Sequence, residues 1–145
     1  IAGRYATVVD SVADADMAVL HLQTPWEPRN GDMVERMFHQ GRLNFDEAEL
    51  ARIQKIMAAK PTVVCLYLDR PAVVPEIASN AVALLGDFGC YDDALLDIVF
   101  GDFNPTAKLP FEMPSSMEAV KNQKEDMPFD SENPLFHFGD GLSYR

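Results

Sequence analysis

Charged and aromatic side chains follow the three apolar runs that could form buried strands. Trp26 and Glu27 come after the first run, Arg70 after the second, and Asp87 at the end of the third. Carboxylates and guanidinium groups hold ligand hydroxyls through paired hydrogen bonds, and an indole offers a flat apolar face. This set is typical of a carbohydrate-binding edge. A carboxyl group there could also move protons in glycoside hydrolysis, although a complete glycosidase needs two such groups.

Three of these side chains also have a structural interpretation. Trp26 is the only tryptophan, and a lone tryptophan is often a packing residue. A glutamate in a long loop, such as Glu27, is often simply solvated. Arg70 directly follows Asp69, and the two could form a surface ion pair of little energetic value. The residues alone leave both interpretations open.

The elements that must position these side chains alternate between strand and helix. The sequence predicts strands over residues 17–22, 62–68 and 82–85, because each is a short apolar run with flanking polar or turn residues. It predicts helices over 45–59, 71–78 and 94–100. The expected helix signals are an Asn44 cap, Pro71 in a first turn, Asp92 and Asp93 as caps, and Gly101 as the end. This order predicts an α/β fold, a three-layer sandwich around a mainly parallel sheet, with ligands bound beyond the carboxyl ends of the strands.

Two segments fall outside this alternation. Residues 24–43 form a long polar loop with one helical turn predicted near 34–38, and loops of this length are usually functional or disordered. From Asn104 onward proline recurs, so this third of the chain is predicted to wrap the sheet as an extended arm with one short strand over 109–112.

Composition excludes several classes of partner. The chain has 145 residues with 12 Lys plus Arg and 23 Asp plus Glu, a net charge of -11, which disfavours nucleic acid and anionic membrane surfaces. The length and the 48% hydrophobic content predict a single globular domain over residues 1–145. The cysteines and histidines lack metal-ligand spacing. We therefore expect a buried thiol at Cys65, structural roles for the histidines, and no metal or other cofactor.

Two segments near the C-terminus resemble a known family. Their sequences are FGDFNPTAKLPF at residues 100–111 and PLFHFGDGLSY at residues 134–144. They are similar to the C-terminal signatures of glycoside hydrolase family three, and the resemblance extends from about Asp14 to Tyr144. It implies an enzyme in which an N-terminal barrel supplies an aspartate nucleophile, while a second α/β domain supplies an acid/base glutamate and part of the sugar pocket. This chain resembles only the second domain and begins late within it, so we expect a fragment without the barrel.

The resemblance also assigns roles to individual residues. The acid/base of the family lies in the loop after the strand matched by residues 17–22, which makes Glu27 the candidate, with Asn30-Gly31-Asp32 as the accompanying motif and Glu35 as a rival. Trp26 would border the leaving-group subsite. Arg70 and Asp87 are predicted to contact substrate because of their place at the carboxyl ends of the strands. The turn over residues 86–92 departs from the family pattern, which predicts a divergent branch.

The predicted function is therefore part of a β-glucosidase-like enzyme that hydrolyses terminal non-reducing β-D-glycosyl residues with retention and is inactive without its barrel. The predicted partners are that barrel and a glycoside or oligosaccharide, and self-association through the exposed docking face is left open. One alternative is a non-catalytic carbohydrate- or protein-binding module of the same fold. A receiver or flavodoxin-like signalling domain is another, but it has no place for the proline-rich arm.

Overall fold

The computed structural model, which describes residues 1–144, contains one parallel sheet. Its strands are β1 (Ala18–Gln23), β2 (Thr62–Tyr67) and β3 (Ala83–Asp87), in the order β1-β2-β3. Leu22 of β1 is in register with Leu66 of β2, which is in register with Gly86 of β3. The three predicted strands and their parallel arrangement are confirmed, with boundaries shifted by one or two residues.

In the part of the chain that the structure describes, four α-helices connect and flank the strands. They are α1 (Glu47–Ala59), α2 (Pro75–Ala78), α3 (Asp92–Phe100) and α4 (Met117–Asn122). Three short 3-10 segments occur at Ala2–Arg4, Val12–Asp14 and Glu35–Met37. The last of these confirms the single helical turn predicted within the long loop. No helix in the described part of the chain has the length and apolar character needed to cross a membrane.

Helices α1 and α3 cover opposite faces of the sheet. Successive side chains of a strand point to opposite faces, and β2 is apolar on both. Val64 and Leu66 pack in the cluster that contains the fully buried Ile53 of α1. Val63 and Cys65 pack in a second cluster with Leu95 of α3. The expected three-layer architecture is therefore present. Burial, the charge of Asp87 and the nearby Cys90 raise the pKa of the Cys65 thiol to about 11.

Several predicted helix starts are wrong, and only that of α1 is explained by a better side-chain cap. Asp46, not Asn44, caps α1, and its Oδ1 accepts from the Glu49 N–H at 2.8 Å. Helix α2 begins at Pro75 rather than Pro71. Helix α3 has Tyr91 at its N-cap without a side-chain cap, so Asp92 and Asp93 lie in its first turn, where carboxylates favour the helix dipole. Gly101 ends α3 with φ 85°, as predicted.

The C-terminal arm wraps the α1 side of the sheet, but the strand predicted over 109–112 is wrong. Within the described residues, the arm has an isolated antiparallel bridge between Met113 and Phe136, and Leu109 exchanges main-chain hydrogen bonds with Gly139 and Asp140. Phe111 and Leu135 pack on the same core cluster as Ile53. Helix α4, capped by Ser116, is an element that sequence reasoning missed. The arm is thus held by side-chain burial and by separate main-chain hydrogen bonds rather than by a continuous strand ladder.

Candidate active site

The long loop starts from a fixed point at the carboxyl end of β1. Thr24 is buried, and its N–H donates to the carbonyl of Tyr67 at 3.0 Å. Its Oγ1 donates to the same carbonyl at 2.6 Å and to the carbonyl of Arg70 at 3.3 Å. These bonds fix the first residue of the loop to the end of β2.

Arg70 ties the two ends of this loop together. One guanidinium nitrogen, Nη2, donates to the carbonyl of Pro25 and, at 2.6 Å, to that of Arg42. The other, Nη1, reaches the carbonyl of Gly41 at 3.4 Å. Pro25 opens the loop, and Gly41 and Arg42 close it. The side chain predicted to contact substrate is thus engaged with main-chain oxygens of its own chain.

Glu27 lies within this fastened loop. Its main-chain N–H donates to the carbonyl of Gln40 at 2.7 Å, which pairs the outgoing and returning arms of the loop. Its Oε1 accepts from Arg42 Nε at 3.0 Å, and both side chains are about half exposed, at 49% and 47%. Gly41 has φ 81°, and a Cβ there would collide with the Glu27 carboxyl group. Glycine is therefore required at this position for two reasons.

Trp26 is stacked on His39. The ring centroids are 4.5 Å apart with an interplanar angle of 12°. His39 Nδ1 is paired in turn with the Asp69 carboxylate, so Asp69 bonds to His39 rather than to its neighbour Arg70. An ionised Asp69 places the His39 proton on Nδ1 and orients the ring. Trp26 is 42% exposed and borders a cleft of about 250 Å³ that Gln23 also lines. His39 therefore holds the indole in place, which is a structural role.

The rival carboxylate, Glu35, lies in the 3-10 turn of the same loop. Asp32 Oδ1 accepts from the N–H groups of Val34 and Glu35 at 2.9 and 3.0 Å and so caps that turn. The Glu35 side chain packs over Gly31, where a Cβ would overlap it. The Asn30-Gly31-Asp32 motif therefore builds the turn that carries Glu35.

Asp87 is buried apart from these residues. Its Oδ1 accepts from the N–H groups of Gly89 and Cys90 at 2.8 and 2.9 Å, and its Oδ2 lies 3.1 Å from His21 Nε2. Burial opposes ionisation of this carboxyl group. Hydrogen bonds from the Cys90 main chain and thiol, from Gly89 and from His21 outweigh it and hold the pKa of Asp87 below its ordinary value. Within residues 1–144, its side chain has no hydrogen bond to Trp26, Glu27 or Arg70.

The structure therefore brings three of the four predicted site residues into one loop system, Trp26, Glu27 and Arg70, and leaves Asp87 in a separate network under the turn after β3. Sequence reasoning missed Arg42 and the pairing of His39 with Asp69, because both contacts join residues far apart in sequence. No group of His, Cys, Asp and Glu side chains suited to a metal ion occurs within the described residues.

Comparison with known proteins gives the family. Residues 3–144 match the family model described as glycosyl hydrolase family 3 C-terminal domain. The chain belongs to this family. The match to this family 3 domain confirms the resemblance carried by the two C-terminal motifs and agrees with the α/β architecture.

Two curated relatives match 100% and 94% of this chain. It is 49% identical over 145 residues to beta-glucosidase C of Emericella nidulans, covering 100% of this chain and 23% of that protein. It is 39% identical over 140 residues to the periplasmic beta-glucosidase/beta-xylosidase of Dickeya chrysanthemi, covering 94% of this chain and 21% of that protein. The chain thus spans less than a quarter of the length of either relative.

Solved structures show the same fold. The beta-glucosidase of Listeria innocua in complex with isofagomine superposes with a TM-score of 0.62 at 25% identity, covering 92% of this chain and 21% of that chain. The same enzyme in complex with glucose gives a TM-score of 0.64 at 23% identity, covering 97% of this chain and 23% of that chain.

Proposed function

We propose that this chain supplies the acid/base loop of a retaining β-glycosidase of the beta-glucosidase type, with Glu27 as the acid/base. The observation that carries the proposal is a half-exposed carboxylate in a loop fastened at both ends to the carboxyl edge of a parallel sheet. That edge is where ligands bind in open α/β sheets. Both curated relatives are named beta-glucosidases, one of them also a beta-xylosidase, and these names supply the proposed substrate class.

In the proposed reaction Glu27 acts twice. As an acid, it gives its proton to the glycosidic oxygen while the C1–O bond breaks and a nucleophilic carboxylate forms a bond to C1. As a base, it then takes a proton from a water molecule that attacks C1 and releases that carboxylate. The nucleophile would be an aspartate on a barrel domain elsewhere in the full protein, and residues 1–145 would be the single domain that docks against this barrel.

The pair with Arg42 bears on the first of these steps. An ionised carboxylate has no proton to give, so Glu27 must be protonated before it acts as the acid; protonation weakens the pair with Arg42 and lets the carboxyl group rotate toward the glycosidic oxygen. The half-exposed position of both side chains leaves room for that rotation. Trp26, already oriented by His39, would border the leaving-group subsite along the adjoining cleft. Direct sugar contacts from Arg70 and Asp87 stay predictions, and the fold already engages both side chains.

Glu27→Gln in the full-length protein tests the proposal, with Glu35→Gln as the matched variant for the rival carboxylate. The measurement is kcat/KM for β-glucosides whose leaving groups range from activated nitrophenols to alcohols. A lost general acid matters most when the leaving group cannot depart as an anion. We therefore expect Glu27→Gln to lose about 10²- to 10⁴-fold on alcohols and far less on nitrophenols.

Three outcomes are informative. Equal losses on both kinds of leaving group would refute the assignment of Glu27. A leaving-group-dependent loss in Glu35→Gln, with Glu27→Gln unaffected, would transfer the role to Glu35. Binding of glucose or cellobiose by the full-length protein without hydrolysis of any glycoside would favour the non-catalytic sugar-binding module.

A further inference from the structure

Arg70 occupies an unusual position for a residue at the end of a strand. It follows β2 by three residues, yet its guanidinium faces its own chain and bonds to the carbonyls of Pro25, Gly41 and Arg42. These oxygens belong to the first and last parts of a loop that spans residues 24–43. A single side chain therefore closes the loop that carries Glu27.

The chemistry of the contact requires arginine. Carbonyl dipoles that converge on one point repel each other unless a cation lies between them. A guanidinium is a planar fork with donors on several nitrogens, whereas a lysine ammonium is a compact point charge on a flexible stem. The Nε of Arg70 is also buried, so this nitrogen is not available to a ligand from solvent. The side chain is therefore built to hold main chain.

The residues that Arg70 binds are next to, or bonded to, Glu27. Glu27 lies two residues beyond Pro25, and its N–H bonds to Gln40, which adjoins Gly41. Arg42, whose carbonyl Arg70 binds, in turn bonds the Glu27 carboxylate through its own side chain. Of the two residues that bond Glu27, Gln40 thus adjoins a carbonyl that Arg70 binds, and Arg42 carries one.

We infer that Arg70 is a positioning residue for Glu27, which sets the place of the acid/base by clamping both ends of its loop rather than by touching substrate. This inference rests on the proposed role of Glu27. Displacement of a catalytic group by about 1 Å can cost about 10²-fold in rate. Loss of Arg70 should therefore reproduce the kinetic signature of a misplaced acid/base.

The test uses Arg70→Met and Arg70→Lys in the full-length enzyme. Arg52→Met is the matched control, because Arg52 is an arginine with side-chain bonds to Glu49 on the exposed surface of α1. The Michaelis parameters are measured for the same leaving-group series, in each variant and in the double variant Glu27→Gln/Arg70→Met. Arg70→Lys retains the charge but loses the planar fork of donors spread over several nitrogens, and it keeps the test available if the methionine variant fails to fold.

We expect each Arg70 variant to lower kcat/KM on alcohol leaving groups by about 30- to 100-fold and on nitrophenols by less than about threefold. KM for nitrophenyl substrates should fall with kcat, because slow base catalysis lets the glycosyl-enzyme accumulate. The double variant should lose no more than Glu27→Gln alone, since both changes remove one function.

A rise in KM for all substrates that adds to the effect of Glu27→Gln would overturn the inference and make Arg70 a substrate contact. Wild-type kinetics in Arg70→Lys would also overturn it, since charge alone would then suffice. Failure of the proposed function itself has a different signature, because Glu27→Gln would then lack the leaving-group dependence before any Arg70 variant is compared.

Discussion

The network around Asp87 can be tested through the reactivity of Cys90. The Cys90 thiol lies at the protein surface, yet its pKa is raised to about 11. The largest cause is partial burial of the thiol, and the next two are its hydrogen bond to Asp87 and the negative charge of Asp87. Asp87→Ala removes the hydrogen bond and the negative charge but leaves the partial burial of the thiol.

The magnitude follows from the size of the shift. The pKa of Cys90 rises from 9.0 to about 11, and each unit changes the thiolate fraction at neutral pH about tenfold. The full effect is thus about 100-fold less thiolate than an ordinary cysteine has at the same pH. Because burial remains in Asp87→Ala, we expect the variant to recover about a tenfold increase in alkylation rate at pH 8.

The assay is alkylation of the full-length protein by iodoacetamide, with the peptide that contains Cys90 followed by mass spectrometry. In the wild type, the rate should rise with pH until about pH 11, because thiolate accumulates up to the pKa of the thiol. Asp92→Asn is the control, because the charge of Asp92 makes the smallest contribution to the raised pKa of Cys90. This variant should change the alkylation rate much less. An unchanged or slower rate in Asp87→Ala would refute the proposed electrostatic coupling between Asp87 and Cys90.

Two further predictions concern the scaffold, and both are measured as thermal unfolding of the full-length protein. Ile53→Ala should lower the free energy of unfolding by about 2–5 kcal/mol, because Ile53 is fully buried in the cluster under α1, whereas the exposed Lys55→Ala should change it little; similar values for the two would contradict the packing described for α1. Gly101→Ala should cost about 1 kcal/mol, because the residue has φ 85° and no atom lies within 4 Å of the added Cβ, so only backbone strain is introduced. Gly3→Ala, which is equally open but lacks the positive φ, is its control and should be neutral.

The sheet and its major helix were predictable because local pattern and tertiary packing agree there. β2 is a continuous apolar run, which is typical of a strand that is buried on both faces, and the structure buries it on both. Leu50, Ile53 and Met57 recur at helical spacing and meet the same core cluster. Such elements leave the chain few alternatives, so sequence alone identifies them.

The ends of elements and the C-terminal arm were less predictable because several residues compete for each role. Asn44 and Asp46 are both good N-caps, but Asn44 forms a parallel bridge with the distant Val73, and Asp46 caps α1. In the arm, the apolar residues near Leu109 could form a strand, but they bury against the α1 side of the core without a partner strand. The choice depends on contacts with distant residues that no local pattern encodes.

The location of the candidate site was predictable from the sequence, but its side-chain contacts were not. The rule that ligands bind at the carboxyl ends of parallel strands selected the loop of Glu27 and Trp26, and the family match confirms the type of domain that carries this loop. It could not reveal that Arg70 faces main-chain carbonyls, or that His39 and Asp69, thirty residues apart, form one pair. Those facts depend on how a loop of irregular conformation returns to the sheet.

The exposure of the Glu27–Arg42 pair fits the two tasks proposed for Glu27. An acid/base residue must lose and regain a proton in every turnover, so neither state can be stabilised too strongly. A buried ion pair costs about 3–5 kcal/mol to break and would trap the carboxylate in its ionised form. A pair at 49% and 47% exposure is screened by water and is worth at most about 1 kcal/mol. Arg42 can therefore hold the carboxylate in place for the base step and still release it for the acid step at a cost of only a few-fold in rate.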